Sequence, residues 1–209
     1  MYRKVKATLH LMNEIKVNEI FHSLQGEGYN AGISAVFLRL SGCNLNCPFC
    51  DTDHEEGEMM SEEQIVARIE SIRRGAQLVV ITGGEPSLWL KSSLLDAIHA
   101  LDPDIRISIE TNGTRPLPEG IDFVTLSPKD QFCSGAQLVL ESCDELKLLY
   151  PGADPSRYSH IRAKHRFLQP CATNDMPTNR ENMARTVEYV KEHPQWRLSL
   201  QIHKILDIR

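Results

Sequence analysis

The feature of this sequence that most constrains its fold is the alternation of short apolar segments with longer amphipathic ones. The apolar segments have the length and the β-branched or aromatic content of buried strands. They are residues 34–40, 77–82, 105–111, 123–127, 145–151, 165–170 and 196–204. The amphipathic segments have helical spacing and are residues 61–74, 88–101 and 179–194. This alternation predicts a mostly parallel sheet with helices packed against it.

Chain length limits how that sheet can close. A complete eight-fold β/α barrel usually takes about 250 residues, and this chain has 209. We therefore predict an α/β fold, a partial, open β/α barrel of about six mainly parallel strands. Residues 17–209 are predicted to form a single domain, and residues 1–16 an N-terminal extension of unknown role.

Composition argues against several classes of function. A formal net charge of −5 offers no basic surface for nucleic acid. No apolar run approaches the roughly 20 residues of a membrane span. The N-terminal segment is basic but lacks the apolar region and cleavage site of a secretory signal. We therefore expect a cytoplasmic protein that binds neither nucleic acid nor membrane.

Three cysteines, Cys43, Cys47 and Cys50, stand in the short segment "SGCNLNCPFCDT". A structural zinc site needs four ligands, and His54 keeps that alternative open. Three thiolates on a [4Fe–4S] cluster would leave one iron open to a small molecule. This is the feature that makes a metal site catalytic. The remaining cysteines, Cys133, Cys143 and Cys171, are scattered and are predicted to be incidental thiols.

Polar residues follow several predicted strands, where parallel α/β folds bind ligands. Gly84 stands in "ITGGEP", where Glu85 is predicted to shape the loop, and Glu110 stands in "IETNGT". Ser127 and Lys129 stand in "LSPK", and Gln169 stands in "LQPC". These residues are predicted to surround one ligand site.

A second polar group precedes the cysteines. Gln25 and Glu27 alternate with glycines in "QGEG", and together suit a heterocycle with an amide edge and an amino group. Arg39 is placed to bind a carboxylate through two hydrogen bonds from its planar guanidinium group. His203 is predicted at the end of the last strand, 196–204, which would leave only "ILDIR" after it.

The cysteine spacing resembles the cluster loop of radical S-adenosylmethionine (SAM) enzymes. Further segments resemble one family among them, the 7-carboxy-7-deazaguanine synthases. They are "SLQGEG", "CDT", "TGGEP", "ETNGT", "SPK", "ELK", "QP" and "HPQWRLSLQIHK". The resemblance implies a lyase of queuosine precursor synthesis that converts 6-carboxy-5,6,7,8-tetrahydropterin into 7-carboxy-7-deazaguanine with loss of ammonia. It implies a [4Fe–4S] cluster, SAM and Mg²⁺, a homodimer, and an electron donor such as flavodoxin or ferredoxin.

Roles carry over by position. The resemblance implies that Cys43, Cys47 and Cys50 hold the cluster and that Thr52 reaches Mg²⁺. Substrate contacts are expected from Leu24, Gln25, Gly26, Glu27, Arg39, Thr82, His203 and Arg209. SAM contacts are expected from Phe49, Asp51, Gly84, Glu110, Ser127, Pro128, Lys129, Gln169, Pro170, Cys171 and Ala172. Cys171 stands where the family often has methionine, and Arg209 where some relatives have proline.

The implied mechanism begins with reductive cleavage of SAM, whose 5′-deoxyadenosyl radical takes hydrogen from C6 of the pterin. Ring contraction, return of the hydrogen and loss of ammonia follow. No side chain is an obvious acid or base for the last step. Two other functions remain open at this point. One is an enzyme that installs a glycyl radical on a partner protein, and the other is a non-enzymatic metal-binding module.

Overall fold

The computed structural model describes residues 14–50 and 53–209. Within these ranges nine strands form one sheet in the order β3-β1-β2-β4-β5-β6-β7-β8-β9. The strands are β1 (Ile15–Leu24), β2 (Ser34–Leu40), β3 (Glu58–Met60), β4 (Leu78–Gly83), β5 (Arg106–Thr111), β6 (Phe123–Leu126), β7 (Ser142–Tyr150), β8 (Arg162–Pro170) and β9 (Arg197–Leu198). From β2 through β9, apart from β3, neighbouring strands run parallel. The predicted open, partial β/α barrel is confirmed.

Two antiparallel strands extend one edge of this sheet, and neither was predicted from the sequence. β1 pairs with β2, and the short β3 pairs with the start of β1. β1 contains polar residues such as Asn18 and Glu19 and is mostly half-buried, so it lacks the continuous apolar run of the parallel strands. It begins at Ile15, inside the segment that was expected to be an extension.

Four helices lie in the described part of the chain: α1 (Glu62–Ile72), α2 (Ser92–His99), α3 (Met176–Glu192) and α4 (Ile202–Leu206). α1 begins as the sequence predicts, because Ser61 and Gln64 form a capping box. Ile65 and Ile69 form its buried face. α1 and α2 pack over β1, β2, β4 and β5 in one apolar core. None of the helices described is long and apolar enough to cross a membrane.

The helix predicted over residues 88–101 is shorter than expected. Residues Pro86–Leu88 form a 3₁₀ turn, and α2 begins only at Ser92. The intervening Trp89 donates its indole N–H to the carbonyl oxygen of Ser41 at 2.6 Å. This contact holds Trp89 against the loop after β2. A continuous helix over residues 88–101 would not bring Trp89 to that loop.

The prediction of a strand over residues 196–204 was wrong. Only Arg197 and Leu198 pair with β8, and the chain then turns into α4. The N–H of Ile202 donates to the carbonyl oxygen of Gly26 at 3.0 Å. The chain therefore leaves the sheet and crosses the loop that follows β1, so that His203 lies on a short helix and not at a strand end.

Candidate active site

A cavity of about 660 Å³ opens where the parallel strands end. It collects nearly all of the residues that the sequence singled out. Those lining it are Leu24, Gln25, Gly26, Glu27, Arg39, Cys43, Cys47, Phe49, Cys50, Thr82, Gly84, Glu110, Ser127, Lys129, Gln169, Pro170, Cys171, Ala172, His203 and Arg209. Pro128 is buried next to the cavity and does not line it. Asp51 and Thr52 lie outside the described residues.

The cysteine loop follows β2 and is held from both sides. Gly42 donates its N–H to the carbonyl oxygen of His54 at 2.7 Å, which closes the loop. A Cβ on Gly84 would lie 2.1 Å from the carbonyl oxygen of Gly42 and 2.9 Å from the Cβ of Cys43. Only glycine at position 84 lets the loop after β4 approach the cysteines so closely.

Glu85 shapes that loop, as predicted. It is fully buried, and its carboxylate accepts from Thr111 Oγ1 at 2.8 Å and from the N–H of Asn112 at 2.7 Å. Asn112 in turn donates to Asn44 of the cysteine loop at 3.1 Å. The ends of β4 and β5 are thereby joined to the segment that carries the cluster ligands.

The donor set of this loop suits an iron–sulfur cluster. Among residues 14–50 and 53–209, no three Cys, His, Asp or Glu side chains converge on a point where one metal ion would sit. A [4Fe–4S] cluster does not require that convergence, because each thiolate binds a different iron. Cys43, Cys47 and Cys50 all face one cavity, which leaves space in front of them for a ligand of the fourth iron.

Cys133, which was predicted to be an incidental thiol, lies beside the cysteine loop. Its thiol donates to the sulfur of Cys47, with the two sulfurs 3.3 Å apart. Burial raises the pKa of Cys47 to about 12, and the contact with Cys133 adds to the effect. Iron binding must therefore displace a firmly held proton from Cys47.

Lys129 places a cation near these sulfurs. Its ammonium donates to the carbonyl and hydroxyl oxygens of Ser127, each at 2.7 Å. Burial lowers the pKa of Lys129 to about 8, although the negative charge that Cys47 can carry favours its protonated form. An anionic cluster or a carboxylate in the cavity would hold it protonated.

Glu27, in the polar segment that precedes the cysteines, is held by a buried ion pair. The Lys147 ammonium lies 2.5 Å from Glu27 Oε2, and Gln201 Nε2 donates to Glu27 Oε1 at 2.9 Å. Burial alone would raise the pKa of Glu27, but the Lys147 charge and these hydrogen bonds outweigh it and lower the pKa to about 2. Burial likewise opposes the charge of Lys147, whose pKa the surrounding carboxylates raise above its usual range.

Glu110 lies in the same hydrogen-bond network as Glu27. Its carboxylate accepts from Gln25 Nε2 at 3.1 Å and from Thr82 Oγ1 at 2.9 Å. The side-chain oxygen Oε1 of Gln25 also accepts the N–H of Glu27 at 3.0 Å. Glu110 thus binds two residues that were predicted to contact the substrate, and its own contact with SAM stays a prediction.

His203 packs directly on Gly26. A Cβ on Gly26 would lie 2.3 Å from Nδ1 and 3.0 Å from the main-chain nitrogen of His203. The absence of a side chain at position 26 therefore allows α4 to cover this part of the cavity.

Arg39 and Arg209 share a carboxylate at the cavity wall. Arg39 Nε donates to Glu19 Oε1 at 2.9 Å, and the Arg209 guanidinium lies 2.5 Å from Glu19 Oε2. Arg209 also stacks over Phe21, 5.2 Å from the ring centre, and its main-chain oxygen accepts from Ser23. The predicted carboxylate-binding Arg39 is thus already oriented by one acidic side chain.

The residues at the end of β8 and just after it are held by their neighbours. Ser199 donates to the side-chain oxygen of the buried Gln169 at 2.9 Å. The main chain of Cys171 donates to Tyr150 and accepts from Asn182. Gln169, Pro170, Cys171 and Ala172 all line the cavity, and their contact with SAM stays a prediction.

The segments "ELK" and "HPQWRLSLQIHK" carry the resemblance, but no role was predicted for Glu145 and Lys147 in the first or for Gln201 in the second. Glu145 and Lys147 alternate with leucines in β7 and are buried there. Glu145 accepts the N–H of Tyr29 at 2.6 Å and so holds the loop that carries Glu27. Two charges inside an apolar strand were the available signal, because buried charges need partners. Gln201 lies in a segment that carries the resemblance, but its contact with Glu27 depends on the turn of the chain after β9.

Comparison with known proteins agrees with this geometry. The sequence model of the Radical SAM superfamily matches residues 38–141, which include the cysteine loop and the ends of β4, β5 and β6. The crystal structure of QueE from Escherichia coli superposes with a TM-score of 0.71 and 27% sequence identity, covering 91% of this chain and 95% of that one.

Full-length relatives narrow the assignment. A 7-carboxy-7-deazaguanine synthase of Bacteroides thetaiotaomicron is 52% identical over 194 residues, covering 93% of this chain and 98% of the relative. Another, from Bordetella pertussis, is 41% identical, covering 92% of this chain and 98% of the relative. Both alignments span more than nine-tenths of this chain and of the relative. The chain therefore belongs to the 7-carboxy-7-deazaguanine synthase family of radical SAM enzymes.

Proposed function

We propose that the chain converts 6-carboxy-5,6,7,8-tetrahydropterin into 7-carboxy-7-deazaguanine, with loss of ammonia. The observation that carries the proposal is that one cavity holds both halves of the chemistry. The three cysteines line it, and so does a buried polar network suited to a flat heterocycle with amide and amino groups. Family membership supports the same reaction.

A [4Fe–4S] cluster held by Cys43, Cys47 and Cys50 would supply an electron, and bound SAM would supply the radical chemistry. The chain orients the reactants. Gly84 allows the loop after β4 to approach the cysteine loop, and Lys129 would offer a cation to the carboxylate of SAM. Glu27, kept ionised by Lys147, accepts hydrogen bonds from ring N–H groups. Gln25 is fixed by Glu110, and Arg39 faces the substrate carboxylate.

The test is anaerobic reconstitution followed by assays of iron, sulfide, 5′-deoxyadenosine and 7-carboxy-7-deazaguanine with the carboxypterin as substrate. We expect the deazaguanine to form only when cluster, SAM and reductant are all present. An enzyme that activates a glycyl-radical protein would cleave SAM and leave the pterin unchanged. A metal-binding module would not cleave SAM. Either result would overturn the proposal.

We further propose that the enzyme is a cytoplasmic homodimer that receives electrons from a flavodoxin or ferredoxin. Two apolar side chains near the C-terminus, Ile205 and Leu206, are 69% and 53% exposed in the single chain. Exposed apolar side chains of this kind are typical of a surface that a second subunit covers. Sedimentation velocity measures the oligomeric state. Reduction of the cluster by each purified carrier, followed by its absorbance, tests the donor.

Mg²⁺ is expected to assist turnover through Thr52. A hydroxyl is a weak ligand, so the ion must keep waters and take oxygens from the substrate. Replacing Thr52 by alanine should raise the Mg²⁺ concentration needed for half-maximal activity several-fold, and Thr52→Ser should behave like wild type. The measurement is initial rate against Mg²⁺ concentration. If Thr52→Ala follows the wild-type curve, Thr52 is not a magnesium ligand.

Deleting residues 205–209 should raise KM for the carboxypterin and lower kcat. The deletion removes the contacts of Arg209 with Glu19 and Phe21 and truncates the helix that holds His203 over Gly26. Uncoupled SAM cleavage should survive, because the cysteine loop is not touched. Arg209→Ala keeps the main chain and should show a smaller effect. A deletion variant with unchanged kinetics, or one that loses its cluster, would contradict a substrate role for this segment.

A further inference from the structure

Two sulfurs from distant parts of the chain meet beside the cluster loop. Cys47 lies between the other two cluster ligands, and Cys133 lies in the loop after β6, yet their sulfurs are 3.3 Å apart. A disulfide has an S–S length of about 2.05 Å, so the two sulfurs need to approach by roughly 1.3 Å. Neither the chemistry of the cluster nor that of SAM uses Cys133.

Both segments are held so that this contact persists. The N–H groups of Phe132 and Cys133 donate to the carbonyl oxygen of Lys129, each at 2.9 Å, forming a tight turn. Phe132 packs edge-on against Phe49 with ring centres 4.7 Å apart. On the other side, Cys50 donates its N–H to the carbonyl oxygen of Cys47 at 3.1 Å. A turn in each segment and one aromatic contact between the two segments therefore hold the two sulfurs close together.

The pair is also reachable by a small oxidant. Cys47 lines the cavity, and both thiols are only partly buried. Cys143 lies on β7 and Cys171 follows β8, so these thiols belong to other parts of the sheet.

We propose that Cys47 and Cys133 form a reversible disulfide in the cluster-free protein when it meets peroxide. One sulfur attacks hydrogen peroxide, takes a hydroxyl group as sulfenic acid and releases water; the other thiol then displaces that hydroxyl as a second water. In sum, two thiols lose two electrons and two protons, and one peroxide becomes two waters. This reaction goes beyond the proposed function and does not depend on it.

The consequence is protection of a cluster ligand. Oxidants that strip iron from an iron–sulfur cluster leave its thiols exposed to further oxidation, and the sulfinic and sulfonic forms are not restored by thiol reductants. Pairing with Cys133 keeps Cys47 at an oxidation level that a reductant reverses. The disulfide also removes one of the three cluster ligands, so the chain cannot accept a new cluster until it has been reduced.

Mass spectrometry of the cluster-free full chain tests this pairing. The chain is treated with stoichiometric hydrogen peroxide, alkylated in denaturant and digested with trypsin without reduction. We expect residues 40–68 linked to residues 130–147, with fragmentation placing the link at Cys47, and a loss of two of the six thiols. Since the second peptide also contains Cys143, the variants Cys133→Ser and Cys143→Ser decide which thiol pairs.

Cys143→Ser should form the link as wild type does, and Cys133→Ser should not. A second measurement follows the uptake of iron and sulfide by the oxidised chain. Oxidised wild type should take them up only after reduction with a phosphine. Cys133→Ser should need more peroxide before it loses this uptake, and reduction should then restore less of it. Links confined to Cys43, Cys47 and Cys50, a link to Cys143, or six free thiols after peroxide would each overturn the proposal.

Discussion

Replacement of Cys43, Cys47 or Cys50 by alanine is expected to reduce cluster content from about four irons per chain to nearly none, because each thiolate binds its own iron. SAM cleavage should be lost with the cluster. Iron and sulfide analysis of anaerobically reconstituted protein, together with electron paramagnetic resonance of the reduced form, measures the effect. All three cysteines lie in one loop at the cavity, so the loss should be similar at each position.

Cys133→Ala is the matched control. It removes a thiol that touches Cys47 but is not one of the three cluster ligands, and the variant should keep a full cluster and SAM cleavage. Stoichiometric zinc without recoverable iron in the wild-type chain would contradict the cluster assignment. Full iron content in any of the three ligand variants would contradict that residue's role.

Replacement of Lys147 by methionine is expected to destabilise the cluster-free chain by about 3 to 5 kcal/mol, because it leaves buried carboxylates without their cation. The Lys147 side chain is 8% exposed and pairs with Glu27, and Glu110 lies within 3.9 Å. Urea unfolding measures the free energy. The double variant Glu27→Gln with Lys147→Met should recover part of the loss, since it removes one uncompensated charge.

The matched control is Lys164→Met. Lys164 also pairs with an acidic residue, Asp144, but its side chain is 74% exposed, so solvent screens the pair and its loss should destabilise the chain far less than the loss of Lys147. Equal destabilisation by the two single variants would show that the buried pair has no special contribution. It would also remove the reason for regarding Lys147 as the residue that keeps Glu27 ionised.

The same pair predicts a dependence of stability on pH. The pKa of Glu27 is lowered from its usual 4.5 to about 2 in the folded chain, so its contribution is complete above about pH 4.5 and is lost as pH falls toward 2. The difference in unfolding free energy between wild type and Lys147→Met should therefore shrink below pH 4.5. A difference that stays constant from pH 6 to pH 3 would contradict this assignment.

Local sequence was sufficient for the parallel part of the sheet. Segments such as 34–40 and 77–82 are continuous apolar runs, and they became β2 and β4 with nearly the expected bounds. β1 and the region after Trp196 were not predictable in this way. β1 is stabilised by pairing with β2, and the turn into α4 is set by a hydrogen bond to Gly26. Both are long-range contacts that no periodicity records.

The candidate site likewise has features that the sequence determines and features that only the fold determines. The sequence by itself determined the chemistry, because three cysteines at that spacing and the glycine-rich and polar segments at strand ends identify the donor types and the family. Only the tertiary structure decided the electrostatics. Lys147 meets Glu27 across 120 residues and Cys133 meets Cys47 across 86 residues, and burial gives these contacts their energetic weight. Burial and partner charges set pKa values and ion-pair strengths, and they exist only once the strands have assembled.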